Sequence, residues 1–310
     1  MALLRNTLIL LSISWPLAAP AAVAPGELPA GTVWYLHADL EQMRNSVSGR
    51  ELYKWLDGKV FMEIHEEIGI DINKETDAVT AFSDRDRGTV VLVEGKISQD
   101  TQDKLLAIAT LKAKLQARDH KGKAYYYVRD DADAASAGGD DGESMNDFDG
   151  EAYFSFAVPG RLIITSDAEQ MGAILDNDGR ITGSQSHEGA IFVLTADRAF
   201  VQAGLRTDSL DNDADSWKSN IIRNTEQAAL LVSAREELIA VEAQLVSRDP
   251  AIAASIGGIV NGLIGLQAFN TELSPELRSL IRNTRIEVKE NVLTIDTVID
   301  PSLVLTVLNE

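Results

Sequence analysis

The chain has 310 residues, 45% of them apolar and 25% charged, enough to bury a sizeable core as one large domain or two smaller ones. Forty-eight acidic against 28 basic residues give a formal charge of −20 and a pI near 4.6, which repels phosphate backbones and anionic lipid and argues against nucleic acid as a partner. There is no cysteine, so disulfides, thiolate catalysis, cysteine metal sites and a lipoprotein anchor of the usual kind are excluded.

The N-terminus has the layout of a secretory signal peptide. Arg5 precedes a mostly apolar run, Leu8 to Leu17, and Ala19-Pro20-Ala21 supplies small residues at −3 and −1. The run is too short to span a bilayer comfortably. Cleavage is expected after Ala21, because cleavage after Ala24 would place Pro25 at +1. Residues 1–21 are therefore read as the signal and 22–31 as a Pro/Gly-rich lead-in. The mature protein is expected in the periplasm or outside the cell.

The next stretch, Val33 to Asp39, returns 158 positions later as Ile191 to Asp197, with Leu, Ala and Asp in identical places. Each copy reads as a strand ending in an aspartate that caps a following helix. Ser48-Gly49-Arg50-Glu51 looks like a capping box opening a longer helix that places Leu52, Trp55, Leu56, Ile64 and Ile68 roughly on one face, with Gly69 as its C-cap. Two strands follow around Asp84 to Gly88. Ser98 or Asp100 caps an amphipathic helix over 100–116. Tyr125 to Val128 is a strand whose alternating rings explain the tyrosine run more cheaply than a sugar-stacking platform does.

Residues 129–151 hold nine acidic residues and one basic one, a composition that cannot bury a core and reads as a flexible acidic loop. Asp147-Phe148-Asp149-Gly150 and Asp176-Asn177-Asp178-Gly179 resemble fragments of calcium loops. Asp147, Asp149, Asp176 and Asp178 are thus the metal candidates, although neither fragment has the twelfth-position Glu of an EF-hand and solvated turns are the favoured reading. No other cofactor is expected. A hairpin over Pro159-Gly160 leads to a second capping box, Ser166 to Glu169.

After a linker at 178–188 the order repeats. Hairpins turn at Arg235 to Glu237 and at Glu290-Asn291. Asp249-Pro250, Ser274-Pro275 and Asp300-Pro301 open helices with proline at the first position. Ala251 to Phe269 is 19 uncharged residues with Gly258 and Gly262 spaced as GxxxG. A buried helix lying close on a sheet is preferred to a transmembrane span, because Ser255, Asn261 and Gln267 interrupt it. The chain is accordingly read as α+β. Two tandem β-α-β-β-α-β-β-α units, 32–177 and 189–310, each form a mainly antiparallel sheet with helices chiefly on one face.

The histidines His37, His65, His120 and His187 lack metal-ligand spacing and read as solvent-facing or satisfied in the core. No HExxH, GxSxG, phosphate loop or dinucleotide fingerprint is present, so no catalytic residue is assigned. Leu28-Pro29-Ala30 before Trp34 to Asp39, Gly69-Ile70-Asp71 before Val79 to Phe82, and Gly265-Leu266 before the final hairpin resemble an uncharacterised family of exported bacterial proteins. That family carries no established activity, so the resemblance implies architecture and assigns no site residue; the acidic loop is peculiar to this chain.

The leading functional expectation is a non-enzymatic exported binding or envelope-associated protein with a protein or small-molecule ligand. The alternative is an exported hydrolase with its site between the two units. Export is expected to leave Ala22 as the first residue, which N-terminal sequencing of protein from the periplasm or medium reads directly; an intact Met1 there overturns the signal assignment.

Overall fold

The structure is a computed structural model that describes residues 31–62, 65–66, 69, 71–129, 151–181, 189–203, 223–268 and 273–308. Twelve strands form one sheet in the order β11-β12-β10-β9-β8-β1-β2-β3-β7-β6-β5-β4. The strands are β1 (Thr32–Asp39), β2 (Thr76–Asp84), β3 (Gly88–Gly95), β4 (Lys114–His120), β5 (Lys123–Arg129), β6 (Glu151–Ser155), β7 (Arg161–Thr165), β8 (Ala190–Asp197), β9 (Thr225–Arg235), β10 (Leu238–Ser247), β11 (Arg285–Lys289) and β12 (Val292–Ile299). Every pairing is antiparallel.

The similar stretches noticed in the sequence are β1 and β8, and they pair with each other. Leu36 lies opposite Leu194, Trp34 opposite Ala196 and Ala38 opposite Phe192. Outward from this seam the order runs β2, β3, β7, β6 on one side and β9, β10, β12, β11 on the other. What the sequence suggests as two sheets is a single sheet joined at β1/β8. The first half carries the extra β4-β5 hairpin at its edge.

Alternation sends successive side chains to opposite faces. Tyr35, Phe82, Val90, Ile163, Val193 and Leu231 belong to one core cluster with Met171, Ile174 and Leu175 of α5 (Ala168–Asp176). Ala38, Val79, Phe192 and Val232 belong to the other, under α1 (Leu40–Asn45) and α2 (Val47–Leu56), whose Leu40, Met43 and Tyr53 are buried. A π-helical turn, Asp57–Phe61, continues α2, and α3 (Ile72–Glu75) leads into β2.

Several local expectations hold. Asp39 accepts from the Gln42 N–H at 2.7 Å and Asp197 from the Phe200 N–H at 3.0 Å, so both are the caps of α1 and of α6 (Arg198–Ala203). Asp249 and Ser274 cap α7 (Pro250–Ala268) and α8 (Pro275–Asn283), accepting from Ile252 and Leu277. Asp300 accepts from the Ser302 N–H ahead of α9 (Pro301–Leu308). The rings of the tyrosine run alternate: Tyr125 and Tyr127 meet Tyr153, while Tyr126 stacks on Phe154.

Others are corrected. Ser48 lies inside α2 with its hydroxyl buried and unpartnered, so the box at 48–51 starts nothing; Ser46 is the cap residue and α1 ends just before it. Asp167 caps α5, because the Ser166 hydroxyl is engaged by the Thr89 N–H at 2.9 Å. Ser98 opens α4 (Gln99–Lys112), but the helix stops at Lys112, and Leu115 lies in β4 opposite Val128; strand pairing outcompetes the helical pattern there. Ile64, Ile68 and the acidic loop from 130 to 150 lie outside the described residues.

The largest correction concerns α7. Ala253 and Ile256 are buried, and Gly257 lies against Val288, whose methyl a Cβ would meet at 2.5 Å. Beyond that first stretch the helix leaves the sheet. Leu263 and Leu266 are 39% and 71% exposed, and Gly258 and Gly262 touch nothing. The uncharged segment is thus seated at one end rather than buried, and Gly257, outside the GxxxG pair, is the glycine that permits the close approach.

Candidate functional site

The metal candidates that can be placed are already engaged. Asp176, at the end of α5, receives the His120 ring (2.9 Å) and the Lys121 ammonium (2.8 Å), and Asp178 receives Lys123 (2.7 Å). These contacts, Lys121 foremost for Asp176 and Lys123 for Asp178, hold both carboxyls below their ordinary range. The pairs clasp the β4-β5 turn onto α5. Gly172 makes the clasp possible, since a Cβ there would lie 3.0 Å from the His120 ring. Asp147 and Asp149 lie outside the described residues.

A compact polar cluster lies beside the seam between the halves. Burial lowers the basicity of His37, against the opposing pull of Asp39 and Glu94, and its Nδ1 is 2.9 Å from the Thr80 hydroxyl. Burial, then the charge of Glu94, pushes the Tyr35 hydroxyl to about 12, although its hydrogen bond with Thr80 pulls the other way. His37 is therefore a part-buried histidine with a hydrogen-bond partner. These groups all lie on β1, β2 and β3, on the first half's side of the seam.

A cavity of about 480 Å³ lies instead within the second half, among β9, β10, β12 and the end of α8. Glu242 and Asp296 stand directly opposite each other on β10 and β12. Glu242 is buried, and Gln244 donates to its Oε1 at 2.6 Å. Burial, then the charge of Asp296, raises the Glu242 pKa; burial and Glu287 raise that of Asp296, which Arg285 and Arg235 partly restore. The two carboxyls are thus coupled across the ladder, and the charge of Asp296 disfavours ionisation of Glu242. Arg235, Arg282 and Arg285 complete the polar lining with Asn283. The wall hydroxyl of Thr297 is 3.3 Å from that of Thr284.

Chemically this is a coupled acid pair surrounded by guanidinium groups, a lining able to take an anion. Sequence reading misses it because Glu242 and Asp296 are 54 positions apart and become neighbours only when β12 inserts between β10 and β11. One signal is present: in Ile239 to Leu245, Glu242 and Gln244 occupy one face of an otherwise apolar strand.

No protein-family model matches the chain, and no curated protein does. Among solved structures the chain is similar to crystal forms III and IV of TP0453. The identities are 14% and 15%, each with a TM-score of 0.50; the alignments cover 91% and 92% of this chain and 96% of the other. At that identity the likeness is one of fold, a mixed α+β chain around a large antiparallel sheet.

A carboxyl whose pKa is raised by folding stabilises fully below its unfolded value and loses that contribution as pH rises through the folded one. Glu242→Gln keeps the acceptor for Gln244 and cannot ionise. Relative to the parent it should gain about 1 kcal/mol at pH 7 and little or nothing at pH 4. Denaturation curves at the two pH values check this; an equal difference at both shows that Glu242 does not titrate with folding.

Proposed function

We propose that this chain is an exported, non-enzymatic binding protein of the cell envelope or its surroundings, built from two copies of one α+β unit, 32–177 and 189–310. Its ligand is a small anion seated in the Glu242/Asp296 cavity. One observation carries this reading. Among the described residues Arg235, Arg282 and Arg285 close no ion pair, and these three guanidinium groups stand around only two carboxyls. The cavity is therefore positive in a chain of charge −20. Guanidinium groups in excess of carboxyls in a concave site are natural partners of carboxylate or phosphate. Net repulsion elsewhere supports the absence of a nucleic-acid partner.

The test is calorimetric titration of the mature protein with succinate and with inorganic phosphate, glucose serving as the neutral control. Anion binding weakened roughly 10- to 100-fold by Arg282→Ala or Arg285→Ala is expected, the usual cost of one charged hydrogen bond. Binding indifferent to both substitutions sinks the site. Conversion of an ester or glycoside probe that Glu242→Gln abolishes would favour a hydrolase, with its site in this cavity rather than between the two units.

Envelope association is a second reading, favoured by α7. Its outward half presents Ile259, Leu263 and Leu266 without a charge, while Ala253 and Ile256 keep its other end on the sheet. Such a helix would lie on a membrane surface rather than span it. Mature protein should float with uncharged phosphatidylcholine vesicles, and Leu263→Gln with Leu266→Gln should reduce the floated fraction several-fold. Flotation unchanged by that pair removes α7 from the contact.

A further inference from the structure

A second cavity, about 440 Å³, lies on the other half of the sheet between the β2-β3 turn and α5. Its floor is apolar, with Phe82, Ala173 and Ile174. Around it stand two carboxylates, Asp84 and Asp86, and two guanidinium groups, Arg87 and Arg180. Asp84 uses Oδ1 to hold the turn, accepting from the N–H groups of Asp86 and Arg87 at 2.9 and 3.2 Å. Among the described residues neither Arg87 nor Arg180 closes an ion pair with these acids. Opposite charges thus stand over one hydrophobic floor without neutralising each other.

The wall contains an independent sign of a missing partner. Gln170 is 6% exposed, and its buried Oε1 has no hydrogen-bond partner. Folding a carboxamide into a wall without a partner is costly, and most buried polar side chains avoid it. Its backbone N–H is already satisfied by Asp167, so the helix cap needs nothing from the side chain. A leucine would fill the same place more cheaply. The amide is explained if a polar molecule in the cavity completes it.

We propose that this cavity binds a zwitterionic ligand of the amino-acid or short-peptide class. The ammonium faces Asp84 and Asp86, the carboxylate faces Arg87 and Arg180, an apolar side chain covers Phe82 and Ile174, and an amide group pairs with Gln170. The balance of two acids and two bases favours a molecule that carries both charges over a simple anion or cation. The Glu242/Asp296 cavity, whose lining is basic on balance, selects differently, and the two sites share no residue.

Calorimetry on the mature chain tests this with leucyl-leucine, free leucine and N-acetyl-leucine amide, which lacks both charges. The dipeptide should bind at least 10-fold more tightly than the blocked compound. Gln170→Leu should raise thermal stability, because the unpartnered amide is gone, and weaken dipeptide binding about 10-fold; a merely structural Gln170 would not couple these two changes. Arg87→Gln with Arg180→Gln, exposed and remote from the core, should weaken the dipeptide similarly and leave succinate binding at the other cavity unchanged. No dipeptide binding at millimolar concentration, equal binding of the blocked compound, or full binding by the double arginine variant each overturns the proposal.

Discussion

The antiparallel pairing of β1 with β8 is the contact on which the rest depends. It lies in the middle of a twelve-stranded sheet, and it sets Leu36 against Leu194, the corresponding residues of two similar stretches. Edge strands with unpaired backbone groups invite foreign pairing. Joining two such edges satisfies both and makes one continuous core on each face. Contacts across the seam follow from this register. Trp34 meets Phe200 with ring centroids 6.2 Å apart, and Arg85 reaches the Asp197 cap at 2.7 Å. Arg85 is largely exposed, so this ion pair contributes little beside the apolar seam.

Charge is distributed with more structure than the total of −20 implies. Several acids are spent on local order: Asp39, Asp167, Asp197 and Asp249 cap helices, and Asp176 and Asp178 fasten the β4-β5 turn to α5. Glu75 is of the same kind. Burial pushes its carboxyl up, but hydrogen bonds from Ser98 and Thr101 outweigh this and leave it below its usual range at the start of α4. The two cavities differ by containing guanidinium groups that close no ion pair among the described residues, and that contrast makes them stand out from the solvated acidic surface.

Helix α7 shows how two properties read as one in a sequence can part. Apolar composition and small residues there suggest a core helix. The first turns satisfy that expectation, and the remainder faces outward with the same composition. Periodicity cannot separate these cases when a helix is apolar all round, since no face is marked as the buried one.

What the chain determines locally is legible residue by residue. Aspartate before a helix, proline at its first turn and alternating strands need only neighbours within a few positions, and these expectations agree with the structure wherever two caps do not compete. Where they do compete, as at Ser166 and Asp167, a distant residue decides, because the Thr89 N–H claims the serine. The α+β class and the likeness of β1 to β8 are also in the sequence. That the two strands are partners in one sheet is not, because similarity states no distance. The same holds for the candidate sites. Glu242 and Asp296, or Gln170 and Asp84, acquire meaning only when strand order and helix placement bring them to one wall, and burial then changes what those side chains can do. Local order is fixed by short-range hydrogen bonding. Proximity, exposure and proton affinity are set by packing, which the tertiary structure alone decides.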